Sequence, residues 1–308
     1  MNRRTWLLLG LPATAAAAWA LRPKSGRDRA PDLVWGTRGQ MPGSIVRPRA
    51  IAIDRQDRLF LVDFTARIQA YDLDGKHLGA TWTTPDFRNG RPSGLGIDRD
   101  GNLLVCDSHY HIVRTMTADG QELRTLGGQS GTAPGQLGYV SDCVQDADGF
   151  YYAAEFGQTD RITKFDADGK FVSCWGQNGV QPGEFQRVRA MAFGPDDLLY
   201  VADACNHRVQ VFDKAGEFVR SIGGAGAGPG ELSYPYDIAF DPDGNFLVPE
   251  RGNQRVQKFS RTGESLALWG RGGRAPGQVA DPWGLAVDRF GRTHVVDTEN
   301  HRVQRIRL

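Results

Sequence analysis

This chain lacks a surplus of charge, a cysteine framework and, after its first 21 residues, any sustained helical period. It contains 37 lysine and arginine residues against 36 aspartate and glutamate residues, a formal net charge of +1. A dedicated nucleic-acid or anionic-membrane binder needs a basic surplus, so this balance argues against both functions. The four cysteines follow no CxxC or zinc spacing, so neither a zinc knuckle nor a disulfide scaffold is indicated.

Common catalytic and ion-binding motifs are also missing. The sequence has no Gly-x-Ser-x-Gly nucleophile elbow, and the glycine-rich run 223–228 lacks the Lys-Ser/Thr of a phosphate loop. Asp-x-Asp-Gly recurs and resembles the start of a calcium loop, which requires Glu at its twelfth position. That position is Thr83 in the copy that begins at Asp72, and the copies at Asp98 and Asp166 lack the Glu as well. The motif therefore indicates turns rather than calcium sites.

The N-terminus predicts an export signal. Two consecutive arginines precede an uncharged run over residues 6–21, which is shorter than the about 20 apolar residues of a membrane span. A small-x-small cleavage site ends at Ala20. We predict a signal peptide over residues 1–20, of the twin-arginine type, and a flexible leader over residues 21–31. An uncleaved membrane anchor is the alternative, and both place the protein in the periplasm or cell envelope.

Six similar units fill the rest of the chain. In each unit an acidic residue ends the second strand-like run, and successive acids are 44, 48, 48, 47 and 47 residues apart. A fixed period of this length is the signature of a repeat architecture. The acids are Asp63, Asp107, Glu155, Asp203, Glu250 and Asp297.

Each unit contains four short β-branched and aromatic runs, which in the fourth unit cover residues 190–193, 198–202, 208–212 and 218–222. Asp-Gly turns follow the first and third runs, so each unit is an antiparallel meander. Six such sheets bury their faces by radial stacking, which predicts an all-β, six-bladed β-propeller of four-stranded antiparallel blades over residues 32–308. The last unit ends after three strands.

The N-terminal strand should close the ring. Residues 32–36 resemble the fourth-strand ends of other units, so we predict that they complete the last blade and remove the open sheet edge.

The motifs Pro-Gly-Glu-Phe, Val-Ala-Asp and Asn-His-Arg-Val-Gln-Val-Phe resemble those of the NHL-repeat family of six-bladed β-propellers. The resemblance covers residues 32–308 and implies the propeller fold. It implies no particular activity, because the family mixes binding platforms with a few enzymes, the peptide-amidating lyases among them.

One face of the propeller is predicted to carry the function. The second-to-third loops and the longer crossovers between blades share this face, around the mouth of the central channel, and variable loops on a rigid scaffold commonly carry binding groups. The residues just before or at the start of the innermost strands differ from unit to unit. They include arginines, aromatic residues and carboxylates, which could bind a polar or anionic ligand. The candidate ligand-binding residues are Arg49, Ser93, Ser141, Asp142, Arg189, Tyr236, Asp237, Trp283, Glu155, Glu250 and Arg251.

The six acids of the second strands are better explained as structural. In five units an arginine follows four to six residues later, which predicts ion pairs that lock the loops. The second unit has Ile112 in this position, so Asp107 lacks a partner unless Arg114 reaches it.

His109 is the one metal candidate. His109 and His111 are spaced to point the same way on a strand and could bind zinc, but His111 aligns with His207 and His301. This recurrence favours a structural role for His111 and leaves His109 without an identifiable co-ligand.

Cys106 and Cys143 are predicted to lie in neighbouring blades, either as a disulfide or, as we favour, as two buried thiols.

The sequence therefore favours an exported, monomeric binding or interaction module rather than an enzyme, with a protein or small polar ligand at the channel mouth. We expect no nucleic-acid partner and no membrane span in the mature chain. The alternative is a lyase or hydrolase that uses a divalent metal in the central channel; no other cofactor is predicted.

Overall fold

The structure is a computed structural model, and it describes residues 29–157 and 159–308. These residues form six four-stranded antiparallel sheets, and the innermost strands of neighbouring sheets contact one another around a central channel. The predicted six-bladed β-propeller is therefore confirmed. The predicted signal peptide lies outside the described residues. Within the described part of the chain, no helix has the length and apolar character needed to cross a membrane.

The strands of the first three blades follow the chain from the innermost strand outwards. They are β2 (Ala50–Ile53), β3 (Leu59–Val62), β4 (Arg67–Tyr71), β5 (His77–Thr83), β6 (Gly94–Ile97), β7 (Leu103–Asp107), β8 (Ile112–Met116), β9 (Glu122–Gly127), β10 (Tyr139–Gln145), β11 (Tyr151–Phe156), β12 (Arg161–Phe165) and β13 (Phe171–Trp175).

The remaining blades repeat this order, except that the outermost strand of the last blade comes from the N-terminus. The strands are β14 (Val188–Phe193), β15 (Leu199–Asp203), β16 (Arg208–Phe212), β17 (Phe218–Gly223), β18 (Ala239–Phe240), β19 (Phe246–Glu250), β20 (Arg255–Phe259), β21 (Ser265–Trp269), β22 (Pro282–Val287), β23 (Thr293–Asp297), β24 (Arg302–Ile306) and β1 (Leu33–Trp35). Short 3₁₀ turns occupy three of the second-to-third loops, at Ser108–Tyr110, Ala204–Asn206 and Thr298–Asn300.

The hydrophobic core lies between neighbouring blades. Tyr200 of the fourth blade, for example, packs against Phe240 and Phe246 of the fifth, at ring-centroid distances of 4.9 Å and 5.3 Å. The second strands are buried along their whole length, as in the Leu-Tyr-Val-Ala-Asp of β15, except for the last residue of β11, which is partly buried. Because both faces of each sheet are covered by the adjacent blades, the apolar runs need not alternate with polar residues.

The ring closes as predicted. Strand β1 pairs antiparallel with β24, with Leu33 opposite Arg305 and Trp35 opposite Val303. Trp35 is 8% exposed and packs 4.8 Å from the ring of Tyr71 in the first blade. The N-terminal strand thus pairs with the last blade and also packs on the first.

The last residues of the predicted leader contact the propeller. The carbonyl of Arg29 accepts a hydrogen bond from the indole of Trp269 at 2.8 Å, and its guanidinium donates to the carbonyl of Arg307 at 3.0 Å.

The acid–arginine pairs predicted for five blades form there, and the remaining blade forms a pair as well. Each acid is fully buried, and Arg114 takes the place of the missing arginine beside Asp107 at 3.2 Å. Burial raises the pKa of Asp107 to about 6 despite this partner. The other pairs are Asp63–Arg67 at 2.7 Å, Glu155–Arg161 at 3.0 Å, Asp203–Arg208 at 2.9 Å, Asp297–Arg302 at 2.6 Å, and Glu250–Arg255.

Candidate functional site at the channel mouth

The innermost strands bring eight of the eleven candidate residues to one cavity of about 260 Å³. It occupies the central channel and receives lining residues from all six blades. The eight residues are Arg49, Ser93, Ser141, Asp142, Arg189, Tyr236, Asp237 and Trp283.

Two arginines and two aromatic rings dominate this mouth. The guanidinium of Arg189 lies over the rings of Tyr236, at 4.8 Å, and Trp283, at 5.3 Å. Arg49 approaches the same indole at 5.2 Å. The two rings meet edge to face, with centroids 5.7 Å apart. Contacts between a cation and a ring face are favourable and hold both guanidinium groups at the mouth.

A second group of cations adjoins Arg49. The guanidinium groups of Arg47, Arg49 and Arg91 surround the ring of Phe64 at 5.1, 5.2 and 4.5 Å. Arg47, Arg91 and Phe64 are not among the residues predicted from the sequence. Arg91 could have been found, because it ends the crossover of blade two, which lacks the glycine-rich Pro-Gly form of the others.

The arginines lower one another's affinity for protons. Burial, followed by repulsion from Arg189, Arg91 and Arg47, lowers the pKa of Arg49 to about 10. Burial is also the main cause that lowers the pKa of Arg189. A guanidinium group stays protonated in proteins, so the mouth concentrates positive charge in a place that water reaches poorly. An anion would relieve this repulsion.

The mouth also contains polar atoms that have no partner within the described residues. They include the Nε atoms of Arg189 and Arg91 and the indole Nε1 of Trp283, all of them buried; the Nε atoms of Arg47 and Arg251 beside the mouth are in the same state. Buried polar atoms are nearly always hydrogen-bonded, and each exception needs an explanation. Arg189 is itself only 8% exposed and lines the cavity, so a bound acceptor would explain its unsatisfied donor.

Asp142 and Asp237 are used to join neighbouring blades. Besides the N–H of the residue that follows it, Asp142 accepts the N–H of Met191 at 2.7 Å, and Asp237 accepts that of Leu285 at 2.9 Å. Burial is the largest cause that raises their pKa values, to about 7 for Asp142 and about 8 for Asp237. These carboxyls therefore hold protons near neutral pH and neutralise the arginines only partly.

The two candidate serines form the wall of the cavity. The hydroxyl of Ser141 donates to the carbonyl of Val188 at 2.8 Å, and that of Ser93 shares a hydrogen bond with Ser108 at 2.5 Å. The partner is a backbone carbonyl in one case and another hydroxyl in the other, so neither of these hydrogen bonds joins a serine to a general base.

The structure does not bring Glu155 and Glu250 to the mouth. Both side chains are fully buried, and each forms an ion pair with an arginine, Arg161 or Arg255, beside the crossovers. Arg251 lies beside the mouth, over the ring of Tyr236 at 5.6 Å, and pairs with Asp281 at 3.2 Å.

The surroundings of His109 do not fit a metal ion. Its ring packs 5.4 Å from that of Tyr139, and burial followed by the charge of Arg49 lowers its pKa. Within residues 29–157 and 159–308, no three His, Cys, Asp or Glu side chains are grouped as metal ligands. The divalent metal considered for the channel therefore has no ligand set in this part of the chain.

The recurring histidines have structural roles, as their alignment indicates. The Nδ1 atom of His111 contacts the carbonyl of Gly138 at 2.9 Å. The Nδ1 atoms of His207 and His301 accept backbone N–H groups across the blade boundary, at 3.1 Å and 3.0 Å.

Cys106 and Cys143 are free thiols buried in one hydrophobic cluster between blades two and three. Burial raises the pKa of both thiols, which disfavours the reactive thiolate form.

The fold and the mouth together define a six-bladed β-propeller with a basic, aromatic channel entrance. Residues 193–266 match a family model described as a 6-bladed beta-propeller, DUF5128. Among solved structures, a streptogramin B lyase has a TM-score of 0.64 at 14% identity and covers 88% of this chain and 96% of its own. Virginiamycin B lyase from Staphylococcus aureus has a TM-score of 0.58 at 14% identity, covering 85% and 80%. At such identity the likeness shows the fold alone.

Sequence similarity extends to parts of several larger proteins. Peptidylglycine alpha-amidating monooxygenase from Rattus norvegicus is 33% identical over 129 residues, which are 39% of this chain and 13% of that protein. Peptidyl-glycine alpha-amidating monooxygenase A from Xenopus laevis is 35% identical over 129 residues, 39% and 14% of the two chains. The match therefore spans only a small part of these relatives.

Proposed function

We propose that this protein is an exported binding module that captures an anionic ligand at the mouth of its central channel. The observation that carries the proposal is Arg189, a buried cation with an unpartnered Nε, which lies over two aromatic rings and lines the cavity. Arg49 supplies a second charge to the same cavity. Guanidinium groups bind carboxylates and phosphates with paired hydrogen bonds, and the strength of such bonds increases where water is excluded.

Export and the NHL-type repeat belong to the same proposal. They are supported by the arginine pair, the uncharged run and the small-x-small site at the N-terminus, and by the repeated Asn-His-Arg motifs. We infer a monomer in the periplasm or cell envelope, either released or held by an uncleaved anchor. A small polar ligand fits the cavity, and a protein partner could present an acidic side chain to it.

Calorimetric titration of the purified protein with acetate and with inorganic phosphate tests the anion site. We expect saturable binding of at least one of the two, and at least tenfold weaker binding after Arg189→Met or Arg49→Met, because the loss of a charge-assisted hydrogen bond removes ~1.5–3 kcal/mol. Arg55→Met is the matched control, since Arg55 is exposed in a hairpin turn of blade one on the opposite face. No binding of either anion, or equal effects of the Arg55 and Arg189 variants, would refute the proposal.

The proposed site also predicts a direction for the pH dependence. As pH rises through 7 to 8, Asp142 and Asp237 lose their protons and place negative charge beside Arg189. Anion affinity should therefore decrease over this range. Stronger binding at the alkaline end would contradict the placement of the anion beside these carboxyls.

A metal-dependent lyase or hydrolase is the second candidate. It is supported by the similarity in fold to the two solved lyase structures and by the sequence similarity to the amidating monooxygenases. The described residues offer no ligand set for it. Elemental analysis of the purified protein separates the candidates, because stoichiometric zinc, iron or calcium would favour the metal enzyme.

A further inference from the structure

Three guanidinium groups and two aromatic rings form a row at the mouth. Arg189 and Arg49 both lie against the indole of Trp283, at 5.3 Å and 5.2 Å from the ring centroid. Arg49 and Arg91 both lie against the ring of Phe64, at 5.2 Å and 4.5 Å. The row therefore places three cations side by side, and each neighbouring pair shares one ring.

The three cations of this row have no anionic partner of their own. The Nε atoms of Arg189 and Arg91 are buried and unpartnered among residues 29–157 and 159–308, and none of the three guanidinium groups forms an ion pair in that part of the chain. Arg47, which shares the ring of Phe64, differs from them because it pairs with Glu299. The row is thus the part of the mouth where positive charge is not balanced.

The carboxyls of the cavity do not pair with this row. As far as the structure describes the chain, Asp142 and Asp237 accept backbone N–H groups and form no ion pair with Arg49 or Arg189. Burial, followed by repulsion from three other arginines, lowers the pKa of Arg49. One monovalent anion balances one of these cations and leaves the repulsion between the others.

Two carboxylates of one small molecule can reach along the row. The Cζ atoms of Arg49 and Arg91 cannot be farther apart than the sum of their distances to the centroid of Phe64, 5.2 Å and 4.5 Å. A carboxylate on each guanidinium, held by hydrogen bonds of about 2.8 Å, leaves a gap that a few carbon atoms bridge. These carbon atoms need not be apolar, because each innermost strand turns an unpaired backbone edge to the channel.

We infer that the ligand is a small dicarboxylate, with its first carboxylate held by Arg189 and Arg49 in the cavity and its second by Arg91 beside Phe64. This inference rests on the proposed function, because the first carboxylate uses the same arginines. It adds a second anionic group to the ligand and makes Arg91 the residue that distinguishes dicarboxylates from monocarboxylates.

Calorimetric titration of the wild-type protein with malonate, succinate, glutarate and adipate, each paired with its monoamide, tests for the second carboxylate. The members of a pair have nearly the same size and shape, but the monoamide carries a neutral group in place of one carboxylate. All titrations use one ionic strength, because salt screens exposed charges. We expect at least one dicarboxylate to bind at least tenfold more tightly than its monoamide, since hydrogen bonds between charged groups are the stronger ones.

Arg91→Met tests the place of the second carboxylate. The variant should lose at least tenfold in affinity for the dicarboxylate that binds best and less than about twofold for acetate, which is held in the cavity. Arg88→Met is the matched control, because Arg88 lies in the same crossover, pairs with Asp86 and has a side chain that is 87% exposed. Both affinities should change less than about twofold in this control. Thermal melting verifies that both variants fold, and if Arg91→Met does not, the wild-type pairs still decide.

The outcomes separate this inference from the proposed function. Equal binding of every dicarboxylate and its monoamide would overturn the dicarboxylate and leave the anion site in place. Binding of phosphate without binding of any carboxylate would also overturn the dicarboxylate alone. Equal losses of dicarboxylate affinity in the folded Arg91 and Arg88 variants would overturn the role of Arg91 and with it the inference. Failure of every anion, the dicarboxylates included, would overturn both.

Discussion

Replacement of Arg208 by alanine tests whether the repeated acid–arginine pairs hold the crossovers in place. The guanidinium of Arg208 donates to the carboxylate of Asp203 at 2.9 Å. It also donates to the carbonyls of Val180, Gln181 and Glu184, all in the crossover, at 2.8, 2.9 and 2.8 Å. One side chain thus ties the second strand, the third strand and the crossover of a blade together.

The loss of stability follows from the burial of Asp203. Its carboxylate is fully buried, and removal of one partner of a buried pair costs ~3–5 kcal/mol because the other charge is left uncompensated. Asn206 and Gln210 still donate to it, at 2.9 Å and 3.1 Å, as does the N–H of Gln186 at 2.7 Å. These partners favour the lower end of the range, so we expect a decrease of about 3 kcal/mol in the free energy of unfolding.

Urea denaturation, followed by tryptophan fluorescence and circular dichroism, measures this decrease, and coincident transitions justify a two-state treatment. Arg88→Ala is the control. Arg88 also forms an ion pair, with Asp86 at 2.9 Å, but its side chain is 87% exposed, so the loss should stay below ~1 kcal/mol. A loss below ~1 kcal/mol for Arg208→Ala, or equal losses for the two variants, would refute the structural role of the pairs.

Three further predictions concern ring closure, pH and thiols. Trp35→Ala should lower the free energy of unfolding by ~3–5 kcal/mol in the same assay, and an unchanged urea midpoint would contradict closure by β1. The raised pKa values of Asp142 and Asp237, about 7 and about 8, give stability that is complete below the ordinary aspartate pKa and is lost as pH rises through 7 to 8. The urea midpoint should therefore fall across this range; a rise would count against burial of the two carboxyls. Cys106 and Cys143 should react with a thiol reagent only after denaturation, and rapid labelling of the native protein, located by mass spectrometry, would show that they are exposed.

The blades could be predicted from the sequence because their signals are local. The turn from Asp72 to Gly75 needs a side-chain acceptor and a positive φ, and the structure provides both. Asp72 accepts the N–H groups of Asp74 and Lys76 at 2.9 Å, and Gly75 has a φ of +81°. In the fourth blade the predicted runs differ from the observed strands by two residues or fewer at each end.

The limits of the sequence appear at the acidic residues and at the mouth. By residue type alone, Glu155 and Glu250 could each bind a ligand. Only the structure shows that both carboxylates are already paired, with Arg161 and Arg255. The sequence predicts that Asp142 lies on an innermost strand. It does not predict that Asp142 accepts the N–H of Met191, because Met191 belongs to the next blade.

The number of blades, the strand order and the approximate position of each innermost strand follow from the sequence alone, since turn chemistry and a period of about 47 residues are properties of neighbouring positions. Which side chains contact one another depends on the folded arrangement of the blades. Arg47, Phe64 and Arg91 come from three separate loops, and their contact depends on how two blades pack and how three side chains turn. Such contacts arise from the closed ring, because it places residues far apart in the chain around one axis.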